Sequence, residues 1–291
     1  MMQLRTQNSE LKTQNSIKHL YTALAAHFTP EAHWWPITTP TSSFEVVVGT
    51  VLVQQTRWQA VEAAIARLHE RGLMQPATLA SCDPQQLAQL IRPCAFHSQK
   101  APGLQAICRY LLEHYAGDMA PFLAQERSLV RAELLSLPRI GRESADTIML
   151  YAGGHALFVV DAYARRLFAR VGLFPDLDSM RVPYDLLQQR VETALAADTL
   201  PMPCWLARAG IARPAHLPQL SDAALLYWEL HALIVEACIH HCQATQPRCD
   251  RPGRQHRFLD PRKCATHCQQ CSACPISQGC AWYHRDPAAA P

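Results

Sequence analysis

The sequence predicts an all-α fold, and three observations carry that expectation. Apolar residues recur at helical spacing through most of 17–242, strand-like alternation is nowhere sustained, and Ser or Asp stands where two of the periodic stretches begin. At 291 residues, 49% hydrophobic and 18% charged, the chain suits one large domain or two modest ones with a real core. Eleven Gly and 21 Pro exclude collagen-like and wholly disordered classes. The longest clear apolar run, 46–53, holds Gly49 and Thr50 and falls short of a membrane span, so a soluble, cytoplasmic protein is expected, with no membrane partner.

Taken in order, residues 1–16 carry a polar repeat, Thr6-Gln7-Asn8-Ser9 and Thr13-Gln14-Asn15-Ser16, and are expected to be a disordered tail without the apolar stretch of a signal peptide. Helical spacing begins with Ile17, Leu20, Tyr21, Leu24 and Phe28. A loop at 36–43 ends in a helix start at Ser42 or Ser43, and 44–55 reads as a buried central helix. An amphipathic helix follows over 58–68, then an Asp-Pro-capped helix over 83–91 and further helices over 101–115, 126–135, 142–152 and 163–171. Long helices are predicted over 183–197 and 222–242, separated by a Pro-rich irregular excursion at 200–219.

Beyond 243 the chain is rich in Cys, Pro and Arg, and something other than an apolar core must organise it. Eight of the twelve cysteines lie between Cys238 and Cys280, a pattern that points to a metal cluster in a reducing compartment rather than to disulfides. Cys82, Cys94, Cys108 and Cys204 read as small core residues. Net charge is only +3, but residues 248–291 hold seven Lys or Arg against three Asp. Such a tail suits either a polyanion or a solvated face.

The chemistry concentrates at 134–170. Leu137-Pro138-Arg139-Ile140-Gly141 is a tight connection between two helical patterns. It exposes unsatisfied backbone N–H groups at the second helix's start, a seat for phosphate that Arg139 and Arg142 flank, although an ordinary helix turn has the same look. Twenty residues past Gly141, Asp161 closes the apolar run of Val159-Val160 and opens a helix, a place that also suits a simple N-cap.

Leu-Pro-Arg-Ile-Gly-Arg-Glu-Ser-Ala-Asp followed by Val-Val-Asp-Ala-Tyr-Ala-Arg-Arg resembles the helix-hairpin-helix and Asp signature of the endonuclease III superfamily of DNA glycosylases. The segment from Phe44 through Leu52-Val53-Gln54-Gln55-Thr56-Arg57-Trp58 resembles that family's first barrel helix and its strand-probing glutamine loop. Ile91-Arg92-Pro93 with Phe96 to Ala101, and Leu230 to Val235, resemble later landmarks. The resemblance covers roughly 20–280. It implies a two-lobed fold: a six-helix barrel lobe at 44–171 containing a helix-hairpin-helix at 126–153, and a lobe of terminal helices from 17–43 and 172–242, with the active site in the cleft between them. Residues 243–291 would form the cysteine-rich iron–sulfur loop and basic tail.

The implied activity is base excision from double-stranded DNA by a monomer associated with the nucleoid. A damaged base is flipped out, Gln54, or else Gln55, fills the gap, and the hairpin at Arg139, Gly141 and Arg142 grips the backbone. Asp161 stabilises the oxocarbenium-like sugar. Two departures from the pattern matter. Glu143 stands where bifunctional members carry the lyase lysine, which implies a monofunctional glycosylase, closest in look to the 3-methyladenine-type branch that acts on alkylated bases. Arg139 stands where the family has the hairpin's first glycine, so a positive φ there would be strained. The spacing Cys264-x6-Cys271-x2-Cys274-x5-Cys280 matches the family's [4Fe–4S] ligands; Cys242, which with Cys249 repeats the leading spacing, is the alternative first ligand, and Zn the alternative metal. Two other readings are a bifunctional lyase using another amine, with Lys100 the nearby candidate, and a non-catalytic DNA-binding module. Trp34, Trp35, Trp58 and Tyr163 are aromatics able to stack on a flipped base or to serve as core.

Overall fold

A computed structural model describes residues 16–28, 42–197, 217, 219–250 and 273–284. Every regular element among them is helical, in agreement with the all-α expectation. In chain order the α-helices are α1 (Ile17–His27), α2 (Ser43–Val53), α3 (Trp58–Glu70), α4 (Pro76–Ser81), α5 (Pro84–Leu90), α6 (His97–Tyr115), α7 (Met119–Leu123), α8 (Arg127–Ser136), α9 (Arg142–Tyr151), α10 (Ala162–Val171), α11 (Tyr184–Ala197) and α12 (Asp222–His240). The short helices α4 and α7 were not expected, because one or two turns offer too few apolar positions to show a period. Helix α6 begins four residues before the predicted start, with Pro102 tolerated near its head. The tail at 1–15, Trp34, Trp35, most of the 200–219 excursion, Cys264 and Cys271 lie outside the described residues.

The chain divides into two compact units. One, the hairpin unit, comprises His33–Leu157 with Arg213–Leu225; the other, the terminal unit, comprises Met1–Ala32, Phe158–Ala212 and Leu226–Pro291.

The hairpin unit is organised around α2. Ser42 caps it by accepting from the Glu45 N–H, and every residue from Phe44 to Leu52 is buried. Each of Val46, Val47, Val48, Val51 and Leu52 is nearly inaccessible, worth roughly 1.5–3 kcal/mol apiece on burial. Glu45, the one acid inside this helix, is matched by His69 of α3 at 2.8 Å. Helices α4 and α5 pack on α6, and α9 packs on both α2 and α8. The α8–α9 pair is held by Asp146, fully buried, whose carboxylate faces Arg131 with Nε–Oδ1 at 3.0 Å and Nη2–Oδ2 at 3.1 Å.

In the terminal unit α1 packs on α11, and the Tyr21 hydroxyl donates to Glu229 of α12 at 2.6 Å. Helix α12 is apolar on almost every side; by length and composition it could cross a membrane, although 72% of its most apolar stretch is buried inside the protein. The sequence reading found no such stretch because Glu229, His231 and Glu236 interrupt it. Residues 158–160 belong to no helix or strand. Their backbone groups are served instead by one face of α11: Glu192 accepts from the Phe158 N–H, Gln188 donates to the Phe158 carbonyl, and the Tyr184 hydroxyl accepts from the Val160 N–H.

Candidate active site and cysteine-lined loop

In the hairpin unit the turn between α8 and α9 has the expected form. Gly141 is the N-cap of α9, in extended conformation, exposed, and makes no side-chain cap hydrogen bond. Arg142 and Glu143 follow as exposed residues of the first turn. Arg139 does adopt positive φ, +68°. Its side chain folds back onto α6, where Nη1 donates to Gln99 Oε1 at 3.2 Å. Gly103 makes room for it: a Cβ at that position would lie 2.7 Å from Arg139 Cγ.

The glutamine loop lies against this turn. Gln54 Nε2 donates to the Arg139 carbonyl at 2.8 Å and to Ser144 Oγ at 3.0 Å. Lys100, with no exposed surface, donates from Nζ to the carbonyls of Leu52 and Gln54 at 2.8 and 2.7 Å and meets Thr56 Oγ1 at 3.0 Å. Burial pushes its pKa below the usual lysine value. Gln55 is exposed and left-handed, φ +54°. Trp58 is half-buried at the start of α3.

In the terminal unit Asp161 is the N-cap of α10. Its Oδ1 accepts from the Ala164 N–H at 2.7 Å, so the capping role read from sequence is real. The residue is 8% exposed, and Oδ2 stands 3.6 Å from Nε2 of the buried His231 on α12. Tyr163, two residues on, is exposed, with the Arg166 guanidinium over its ring at 5.1 Å.

Helix α10 also anchors the cysteine-lined loop. Arg166 Nε donates to the Cys242 carbonyl at 2.8 Å. One turn later Arg170 donates to Cys242 Sγ at 3.3 Å and to the carbonyls of Gln243 and Ala244, while its own carbonyl accepts from Cys280 Sγ at 3.4 Å and from the Trp282 N–H. The Cys274 N–H donates to the Cys249 carbonyl at 3.0 Å, tying two cysteines 25 positions apart. Burial and the neighbouring thiols push Cys249 up to about 11 and Cys274 to about 12, and burial raises Cys280. Cys242 goes the other way, lowered by a hydrogen bond from Cys238 and by Arg170. No three His, Cys, Asp or Glu side chains among the described residues stand at metal-binding separation.

Of the residues predicted from sequence, the structure brings Gln54 and Arg139 together, places Gly141, Arg142 and Glu143 along one exposed helix start, and sets Cys242 and Cys280 against Arg170. It adds Ser144, His231, Arg166 and Arg170, to which the sequence reading assigned no such place, and ties Cys249, one of the cysteines between which that reading left the fourth ligand open, to Cys274. The Arg166 and Arg170 pair, four positions apart on one helix face, is the signal that was available for two of them.

Residues 48–192 match the HhH-GPD superfamily base excision DNA repair proteins. A Methanocaldococcus jannaschii protein assigned as a DNA repair glycosylase is 34% identical over 212 residues, 72% of this chain and 82% of that protein. Endonuclease III of Thermotoga maritima is 33% identical over 132 residues, 45% of this chain and 58% of the enzyme. Two solved structures share the fold. Helicobacter pylori 3-methyladenine DNA glycosylase bound to 1,N6-ethenoadenine has a TM-score of 0.57 at 24% identity, covering 76% of this chain and 95% of that one. A non-covalent endonuclease III–DNA complex has a TM-score of 0.58 at 22% identity, covering 82% and 90%. With a relative this similar over most of its length, the chain belongs to the HhH-GPD superfamily of base excision DNA repair proteins.

Proposed function

We propose that this protein is a monofunctional DNA glycosylase that hydrolyses the N-glycosidic bond of a damaged, alkylated base flipped out of duplex DNA. The observation that carries the reading is Asp161, a buried carboxylate held at a helix N-cap with one oxygen used by the cap and the other left to face His231. As the base departs with the bonding electron pair, positive charge grows on the sugar, and a carboxylate in a water-poor pocket stabilises it strongly. Water then adds to the sugar carbon and releases a proton to solvent, which leaves the abasic sugar and the free base. The start of α9 beyond Gly141, where the N-cap residue has no side chain to cap the helix, would take a phosphate.

Lyase chemistry would need an amine, and Glu143 supplies none. The chain holds four lysines, Lys12, Lys18, Lys100 and Lys263. Lys100 is buried with its three ammonium protons matched by three acceptors, which argues against it as a nucleophile. The test is base release from duplexes carrying alkylated, oxidised, deaminated or mismatched bases, with and without a final alkali step, beside Asp161→Asn. Strand nicking that needs alkali and disappears in the variant is expected. Nicking without alkali would overturn the monofunctional reading, and intact binding with no release would leave a DNA-binding module.

The cofactor in this reading is a [4Fe–4S] cluster. The donor chemistry fits: Cys242, Cys249, Cys274 and Cys280 would supply four soft sulfur donors, with Cys242 and Cys280 against Arg170 and Cys274 tied to Cys249. This set replaces Cys264 and Cys271 and makes the insertion 250–273 an excursion between the second and third ligands. When bound, the cluster supplies structural order to the loop, and Arg166 and Arg170 fix that loop to α10. Iron analysis separates the sets: Cys249→Ser should lose most of its iron and Cys264→Ser keep about four per chain, whereas the reverse would restore the Cys264 set. Zinc in place of iron would overturn the cluster.

A further inference from the structure

Helix α12 carries one residue that packing alone does not account for. Leu230, Ala232, Leu233 and Ile234 are buried apolar side chains, and His231 stands among them, buried nearly as deeply. An imidazole costs more to bury than an aliphatic side chain of similar volume, so its place in this stretch needs a reason. Two neighbours surround the ring. Phe158 meets it edge to face, with centroids 6.4 Å apart and planes at 79°. Asp161 meets it through Oδ2, 3.6 Å from Nε2.

That separation is beyond a direct N–H···O hydrogen bond, which is made at about 2.7–3.2 Å. One water can nevertheless reach both atoms at this spacing, donating one O–H to Oδ2 and the other to Nε2. Oδ2 is available for it because Oδ1 is taken by the Ala164 N–H. A water held in this way has its lone pairs left for an electrophile. The charged or titratable side chains on the surrounding elements are engaged elsewhere. Glu229 accepts from Tyr21 on α1, Glu192 and the Tyr184 hydroxyl on α11 accept from the Phe158 and Val160 N–H groups, Arg166 on α10 donates to the Cys242 carbonyl, and Glu236 meets His240 at 3.3 Å.

Resting on the glycosylase reading, we propose that His231 is a catalytic residue, the base that takes the proton from the attacking water. The glycosidic bond breaks with its electron pair on the base, and a base made cationic by alkylation leaves neutral, taking no proton. The water oxygen then bonds to the sugar carbon, one of its O–H bonds breaks, and that proton passes to Nε2 of the neutral imidazole. The imidazolium hands it on to solvent. Asp161 gains no proton in this sequence. A carboxylate that accepted it would surrender the charge that the sugar needs, so the two tasks fall to two side chains.

The test is single-turnover base release by the full chain at saturating protein, from duplexes carrying an N3- or N7-methylated purine. Rates are read from about pH 5.5 to 8.5, a window in which imidazoles ordinarily titrate and carboxylates do not. Wild type is compared with His231→Gln, whose amide still orients a water but takes no proton. The wild-type rate should fall toward the acid end by up to about tenfold per pH unit, as the imidazole becomes occupied. His231→Gln should lose about a hundredfold at the alkaline end and show a flat profile. Thermal melting confirms that the variant is folded, and His231→Asn takes its place if it is not. A flat wild-type profile overturns the proposal without any variant. A variant profile of wild-type shape, at whatever rate, also overturns it and leaves His231 a packing residue. A wild type that releases no base from any duplex overturns the glycosylase reading as well.

Discussion

In the proposed mechanism Asp161 caps α10 with one oxygen and serves the sugar with the other, and substitution can separate the two roles. Asparagine is as good a helix cap as aspartate, so Asp161→Asn should melt within about 0.5 kcal/mol of wild type, while its single-turnover base release falls by about two to four orders of magnitude. Asp161→Ala should lose the cap as well, at about 1 kcal/mol. Equal melting points for Asn and Ala would mean that the cap bond contributes nothing. A second residue-scale case is Arg139, whose positive φ the sequence reading flagged because glycine is usual there. Its alkyl stem lies over Gly103. Gly103→Ala should therefore forfeit the usual helix gain of about 1 kcal/mol and destabilise by a similar amount, whereas adding Arg139→Gly should recover it. Urea midpoints for the four members of this cycle measure the coupling; additive effects would show that the two residues do not touch. The strain was legible from one motif, but the glycine 36 positions earlier that accommodates it was not.

At the scale of elements, the helix pair α8–α9 depends on one buried ion pair. Asp146 is wholly inaccessible and Arg131 about one-fifth exposed, so Asp146→Ala leaves a largely desolvated guanidinium with its main acceptor gone. A loss of about 3 kcal/mol is expected in a urea melt. A loss below 1 kcal/mol would show that Arg131 finds water instead. Helix spans in this region were readable because apolar spacing and caps are local: Ser42, Asp83 and Glu126 each cap the helix that follows. The short α4 and α7 were not readable, since they are held by packing rather than by a pattern of their own. The irregular run 158–160 is similar. Its backbone partners, Tyr184, Gln188 and Glu192, share one face of α11, a spacing visible in the sequence but without a stated purpose there.

On the scale of the whole molecule, the terminal unit joins both ends of the chain, and His27 shows the consequence. It lies among Phe28, His240 and His241 and is lowered from 6.5 to about 4, first by burial and then by those two histidines. Below 6.5 the unfolded chain takes up a proton at this position that the folded one refuses until about 4. Stability should therefore fall as pH drops through that window and level off beneath it. Melting temperatures from pH 7 to 4 should show a steeper acid decline in the wild type than in His27→Gln; parallel curves would remove His27 from the account.

The all-α class, ten of the helices, the hairpin and the family resemblance rest on relationships between residues within a few turns of each other, which a linear chain displays directly. The pairing of Gln54 with Arg139, of Cys249 with Cys274 and of Tyr21 with Glu229 spans 85, 25 and 208 positions. No periodicity links such residues. They meet because helices pack their apolar faces together, and that packing sets which polar groups are left within reach of one another once water is gone.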